Sequence, residues 1–259
     1  MRLSVYEISS IIETFKEIFK DGKIYLFGSR VDDNLRGGDI DLYIKLNYPL
    51  DTEERLSKKS QFRTKLEDKI GEQKIDIIIA RDENRLIEKE AGGGIELDLN
   101  KIKLQKYFNE CDKHLQRIEE AYDDIKDSLP LSVEKYKILT KDEVQDIDQY
   151  LYRFSKLQDT LGQKIFRLVL NIYEPNCDNI TFLDLLNKLE KLDFLENTKE
   201  WLNLRDKRNQ IAHQYDDEAY EMTQAINDIF NQKDILKAIY IKFKKQSEPL
   251  FNTKQDKEK

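Results

Sequence analysis

Three short stretches in the first third of the chain place oxygen-bearing side chains at spacings that suit phosphate chemistry. Phe27-Gly28-Ser29 follows an apolar run and reads as a strand entering a tight turn. Such a turn lets backbone N–H groups and a hydroxyl approach a triphosphate, and a helix start there adds partial positive charge. Asp39-Ile40-Asp41 alternates acid with aliphatic, so both carboxylates face one side of a strand. Two like charges so close repel unless a cation lies between them. Mg²⁺ suits all-oxygen ligands and shared phosphate oxygens. Lys74-Ile75-Asp76-Ile77-Ile78-Ile79 sets one acid in an apolar β-branched run of the kind found in a central strand. A charge there needs a reason: a third metal ligand is one, a solvent-facing strand end the other. Taken in this order, three carboxylates suit a pair of metal ions about 4 Å apart, which activate an attacking hydroxyl and neutralise leaving pyrophosphate. One carboxylate can also take the hydroxyl proton.

The elements that must position these groups are legible in the periodicity. Ile8, Ile11, Ile12, Phe15 and Phe19 share one helical face, and Asp21-Gly22 ends that helix. Strands are expected at 23–29, 39–46 and 74–80, with a charged helix at 51–70 before the third. Helix, strand, strand, helix, strand makes a small α/β module with a mixed sheet. Ala91-Gly92-Gly93-Gly94 interrupts the pattern and is taken, to within several residues, as the boundary between domains 1–94 and 95–250, a loop inside the first domain being the other reading. Beyond it the chain reads as helices at 95–125, 142–172, 181–192, 197–213 and 217–245, joined by short connections. The fold class expected is α+β, with an all-α up-and-down helical bundle after the module and a disordered polar tail at 251–259.

Composition agrees with long solvated helices. Of 259 residues, 37% are charged, and 9 Gly and 4 Pro are too few for a sandwich or barrel. The net charge of −7 argues against a broad basic surface for duplex nucleic acid, though not against a local basic cleft. Cys111 and Cys177 have no CxxC spacing, so neither a disulfide framework nor a zinc site is expected, and the reducing cytoplasm is the natural compartment. The acidic, amphipathic N-terminus does not read as a signal peptide, and no run is long enough for a membrane helix.

Phe27, Gly28, Ser29, Asp39, Ile40, Asp41, Leu42 and Asp76, with Arg36-Gly37-Gly38 before the paired acids, resemble the signature of the minimal nucleotidyltransferases (MNT) of the DNA polymerase β superfamily. The resemblance covers about residues 5 to 90. It implies a transferase site in which Asp39, Asp41 and Asp76 bind two Mg²⁺ while Gly28, Ser29 and Arg30 hold the nucleoside triphosphate, ATP as substrate. The Ala-Arg-Gly usual after the Ser is replaced by Arg30-Val31-Asp32.

A second constellation lies in the helical half: Arg208-Asn209-Gln210-Ile211-Ala212-His213-Gln214-Tyr215. An Arg that stabilises phosphate charge and a His that assists proton transfer would cleave RNA without a metal. Arg208 and His213 lie about 140° apart on a straight helix, so such a site needs a helix end, a bend or a second subunit. A polar helix end with a capping His is the plainer reading. The octet resembles the Arg-x4-His-x-Tyr motif of HEPN domains, whose stand-alone toxins are RNases paired with minimal nucleotidyltransferase antitoxins. That resemblance implies a fused toxin–antitoxin or defence protein in which Arg208 and His213 form the RNase centre. It also implies AMPylation, the transfer of AMP from ATP to a tyrosine matching Tyr215. RNA (tRNA or mRNA) as a partner and a homodimer through the helical domain follow from the same likeness. The alternative is a small-molecule nucleotidyltransferase, similar to aminoglycoside-modifying enzymes, with a helical substrate-binding domain. His114 is expected at the surface, and Phe194, Trp201 and Leu204 in the core.

Overall fold

The computed structural model describes residues 1–32, 37–81, 85–175, 177, 179–213 and 219–251, with side chains left aside at 212 and 213. It has two compact units, Met1–Ile102 and Lys103–Lys259.

In the first unit, α1 (Val5–Phe19) opens on a capping box in which Ser4 Oγ accepts from the Glu7 N–H and Glu7 accepts from the Ser4 N–H. Its Ile8, Ile11, Ile12, Phe15 and Phe19 are buried, as the periodicity predicts. The strands β1 (Lys23–Phe27), β2 (Ile40–Lys45) and β3 (Ile75–Ile79) form a mixed sheet with the two-residue β4 (Ile95–Glu96), in the order β3-β2-β1-β4. β2 is antiparallel to β1 and parallel to β3; the crossover between β2 and β3 contains α2 (Thr52–Ile70), capped by Asp51 and Glu54. Alternation sorts the side chains. Ile24, Leu26, Ile40, Leu42, Ile44, Ile75, Ile77 and Ile79 join α1 and α2 in the main core of the unit. Tyr25 and Tyr43 form a smaller cluster on the other face with Ala91 of α3 (Leu86–Gly92). The buried Glu88 of α3 accepts from the Arg81 backbone N–H at 3.1 and 3.2 Å.

One expectation changes here. The β-branched run at 75–79 suggested a central strand, but β3 is an edge strand. Arginines of α2 satisfy carbonyls along it: Arg63 donates to Ile75 at 2.8 Å and Arg55 to Ile79 at 3.1 Å and Ala80 at 2.6 Å. Side-chain donors thus blunt the edge without a further strand. The Gly92–Gly94 run lies inside the first unit, because β4 just after it pairs with β1, Leu26 opposite Ile95 and Tyr25 opposite Glu96. The two units part between Ile102 and Lys103, several residues beyond that run.

The second unit is helical. α4 (Leu99–Ile125) runs into it and is followed by α5 (Val133–Tyr136), α6 (Lys141–Asp159), α7 (Phe166–Tyr173), α8 (Phe182–Lys191), α9 (Thr198–His213), α10 (Ala219–Asn231) and α11 (Lys233–Ser247). α6 passes into α7 through a π-helical stretch, Thr160–Ile165, so the helix expected at 142–172 is continuous but locally rewound. The segment expected as one helix at 217–245 divides at Gln232. Phe166 is the aromatic centre of the core, with ring centroids 4.5 Å from both Trp201 and Phe243. Phe194, Trp201 and Leu204 are buried, as expected. His114 is not at the surface: it is 8% exposed. It falls three residues after Cys111 and four before Ile118, which puts it in the buried seam of α4. Arg153 Nη1 lies 3.4 Å from its Nδ1, and Glu110 Oε1 lies 3.8 Å from its Nε2. Burial first, then the Arg153 charge, lowers its pKa against the pull of Glu110.

Candidate nucleotidyl-transfer site

The site forms where β1, β2 and β3 meet the turns at their ends. In the strand register Phe27 faces Asp41, and Asp41 faces Asp76. Paired residues of neighbouring strands share a face, so the acids rise from the side of the sheet opposite α1 and α2. Asp39 stands two residues before Asp41, just ahead of β2, where the Ile40 N–H donates to the Lys74 carbonyl at 3.0 Å. The aliphatic neighbours Ile40, Leu42, Ile75 and Ile77 are buried at 2% exposure or less, so the backbone carrying the acids is rigid.

Gly28 opens the turn after β1 with φ of +71°. A Cβ at this position would lie 2.1 Å from Asp41 Oδ2, so the bare backbone is what lets the turn close on the carboxylate. Across the same turn, a Cβ on Gly37 would lie 2.1 Å from Ser29 Oγ. Glycine thus leaves room beside the Asp41 carboxylate, an expected metal ligand, and the Ser29 hydroxyl, an expected phosphate contact. Arg36 lies outside the described residues.

Burial first, then Asp76 and Asp39, pushes the Asp41 carboxyl above the usual carboxylate range, while Lys74 and Arg30 pull the other way. Lys74 supplies a counter-charge on this face. Its ammonium pairs with Asp39 and lies 3.9 Å from Asp76 Oδ2. The hydrogen bond to Asp39, reinforced by both charges, raises the Lys74 pKa. The donors are of the type Mg²⁺ takes, oxygen only and acidic. Among the described residues, no three acidic, histidine or cysteine groups form a closed cage as they stand. With Asp39 turned to Lys74, fitting an ion requires side-chain rotation on a fixed backbone.

Arg30, expected to touch the nucleotide, is engaged on three sides. It donates to Glu7 Oε1 at 3.3 Å, to Gln73 Oε1 at 3.2 Å and to the Gly38 carbonyl just before Asp39. Arg2 adds a second brace, its backbone N–H donating to the Arg30 carbonyl at 2.8 Å and its guanidinium to the Ser29 carbonyl at 2.9 Å. Sequence reasoning gave no role to Arg2, Glu7, Gln73 or Lys74. Only Lys74 carried a usable signal: it stands two positions before Asp76, hence on its side of the strand.

In the helical unit, Arg208 and His213 lie on the unbroken α9, with His213 its last residue. Arg208 pairs with Asp159 through Nη2, and its Nε donates to Gln158 Oε1 at 3.2 Å. The His213 side chain and Tyr215 lie outside the described residues.

Residues 8–97, about a third of the chain, match the family model described as Polymerase beta, Nucleotidyltransferase. That interval begins in α1 and ends just past β4, so it takes in every strand of the sheet. The first unit is thus similar to the nucleotidyltransferases of the polymerase β superfamily, and nucleotidyl transfer is the activity this supports, with a nucleoside triphosphate as substrate. No curated protein and no solved structure matches the chain. Among the described residues no helix is long and apolar enough to cross a membrane.

Proposed function

We propose that this chain is an Mg²⁺-dependent nucleotidyltransferase fused to a HEPN-type RNase domain, of the toxin–antitoxin or defence kind, and that it transfers AMP from ATP to a protein tyrosine. The observation that carries the transferase half is the shared face of Asp39, Asp41 and Asp76, with Gly28 closed against Asp41. Gly28 and Ser29 hold the triphosphate, and Arg30 acts by bracing their turn. The acceptor oxygen forms a bond to the α-phosphorus, the bond to pyrophosphate breaks, and one of the three carboxylates takes the hydroxyl proton. Bound Mg²⁺ supplies charge neutralisation for the phosphates and orientation of the acceptor. In the helical unit, Arg208 and His213 form the RNase centre, and Tyr215 receives AMP.

The test is intact mass of the full chain after incubation with Mg-ATP. An added adenylyl group that is lost in both Asp41→Asn and Tyr215→Phe supports the reading. No addition, or addition that survives Tyr215→Phe, sinks transfer to that tyrosine.

One observation favours a second reading, a small-molecule nucleotidyltransferase with a helical substrate-binding unit. Arg208 is occupied by Asp159 and Gln158 rather than open to a phosphate. Nucleotide transfer to an aminoglycoside-like acceptor, abolished by Asp41→Asn, would establish it.

A further inference from the structure

Lys74 is the cation that the metal-binding reading leaves unexplained. Strand alternation puts it on the side of Asp76, and its ammonium spans from Asp39 to within 3.9 Å of Asp76 Oδ2. A positive charge therefore already bridges β2 and β3 among the carboxylates expected to bind metal. Its side chain is 67% exposed, against 40% for Asp39 and 53% for Asp76. Ion pairs this open are weak and readily exchanged.

The backbone argues for exchange rather than permanence. The Ile40 N–H to Lys74 carbonyl bond and the Asp41–Asp76 register hold both strands in place. Only rotation of exposed side chains separates the pairing seen here from one in which Asp39 turns toward its acidic neighbours. An ammonium on a flexible stem and a divalent ion would occupy the same space and neutralise the same charge.

We propose that Lys74 is a resident counter-cation of the metal site, displaced when a divalent ion binds, so that it sets how much metal the site requires. This rests on the metal-dependent transferase reading above. Removing the ammonium takes away both a competitor for Asp39 and a repulsive charge, so the two effects act in the same direction.

The test uses the full chain and Mn²⁺ alone, followed by calorimetry and by the paramagnetic signal of the free ion, for wild type, Lys74→Met and Lys74→Arg. Lys74→Met should bind Mn²⁺ about two- to fivefold tighter than wild type, the range an exposed ion pair can contribute. Lys74→Arg, which keeps the charge, should stay near wild type. Equal or weaker binding by Lys74→Met, with wild type still binding, overturns the displacement and leaves the metal site standing. No Mn²⁺ binding by either protein overturns the metal-dependent reading and this inference with it. Circular dichroism checks that both variants keep the fold.

Discussion

Asp41 and Asp76 are register partners on adjacent parallel strands, 35 positions apart in the chain yet held side by side by a backbone ladder. The strands stand about 4.8 Å apart, so the two charges are kept close whether or not a cation is present. Such an arrangement sacrifices stability for chemistry. Asp41→Asn should abolish nucleotide transfer and, in the presence of EDTA at neutral pH, raise the melting temperature. Calorimetric scans of the two metal-free proteins check this; a lower melting temperature for the variant would count against the repulsion.

Gly28 tolerates no side chain. Alanine there must adopt a left-handed backbone, costing about 1–2 kcal/mol, and its Cβ would meet Asp41 Oδ2 at 2.1 Å. A shift of about 1 Å in reacting groups can cost roughly 100-fold in rate. Gly28→Ala should therefore lower both the urea midpoint and the transfer rate, the latter by about two orders of magnitude. A fully active variant would place the phosphate-holding turn elsewhere.

Arg30 reads as a brace, and a brace affects the protein before any nucleotide binds. Arg30→Met removes donors to Glu7, Gln73 and the Gly38 carbonyl, so the nucleotide-free protein should lose about 1–3 kcal/mol in denaturant unfolding. Arg30→Lys keeps the charge without the planar fork and should recover little. If Lys restores stability in full, charge rather than geometry is what the position requires.

His114 makes stability depend on pH. Its pKa lies below the ordinary 6.5, because burial and then Arg153 disfavour the cation. The folded state therefore binds fewer protons than the unfolded one. The contribution is complete above about 6.5 and is lost as pH falls through the lowered value. Facing groups are Glu110, Arg153 and Lys156. His114→Gln should flatten the decline in melting temperature below pH 6.5; an unchanged profile would assign that decline to other groups.

The parts of this fold legible in the sequence are those set by local period. The buried face of α1, the alternation of β2 and the apolar seam of the long helices all follow from side chains a few residues apart. The edge position of β3 was not legible, because an apolar β-branched run looks the same in a central strand. What caps it are Arg55 and Arg63 of a preceding helix. β4 is two residues beside a glycine run, too short to leave a period. The carboxylates were readable because strand geometry alone puts them on one face. The tie from Arg30 to Glu7, and the Arg2 strap over Ser29, were not, since such contacts depend on how separate elements pack. His114 was misplaced because polarity outweighed its register on α4.

The parallel pairing of β2 with β3 carries a consequence for a chain emerging from the ribosome. A parallel neighbour cannot arrive through a hairpin; it waits for the crossover that includes all of α2. Until Asp76 has been synthesised and β3 has docked, Asp39 and Asp41 lack their third acid. On the proposed three-carboxylate reading, nascent chains stalled before that point should be catalytically silent however well α1, β1 and β2 have formed, and activity should appear only once β3 has docked beside β2.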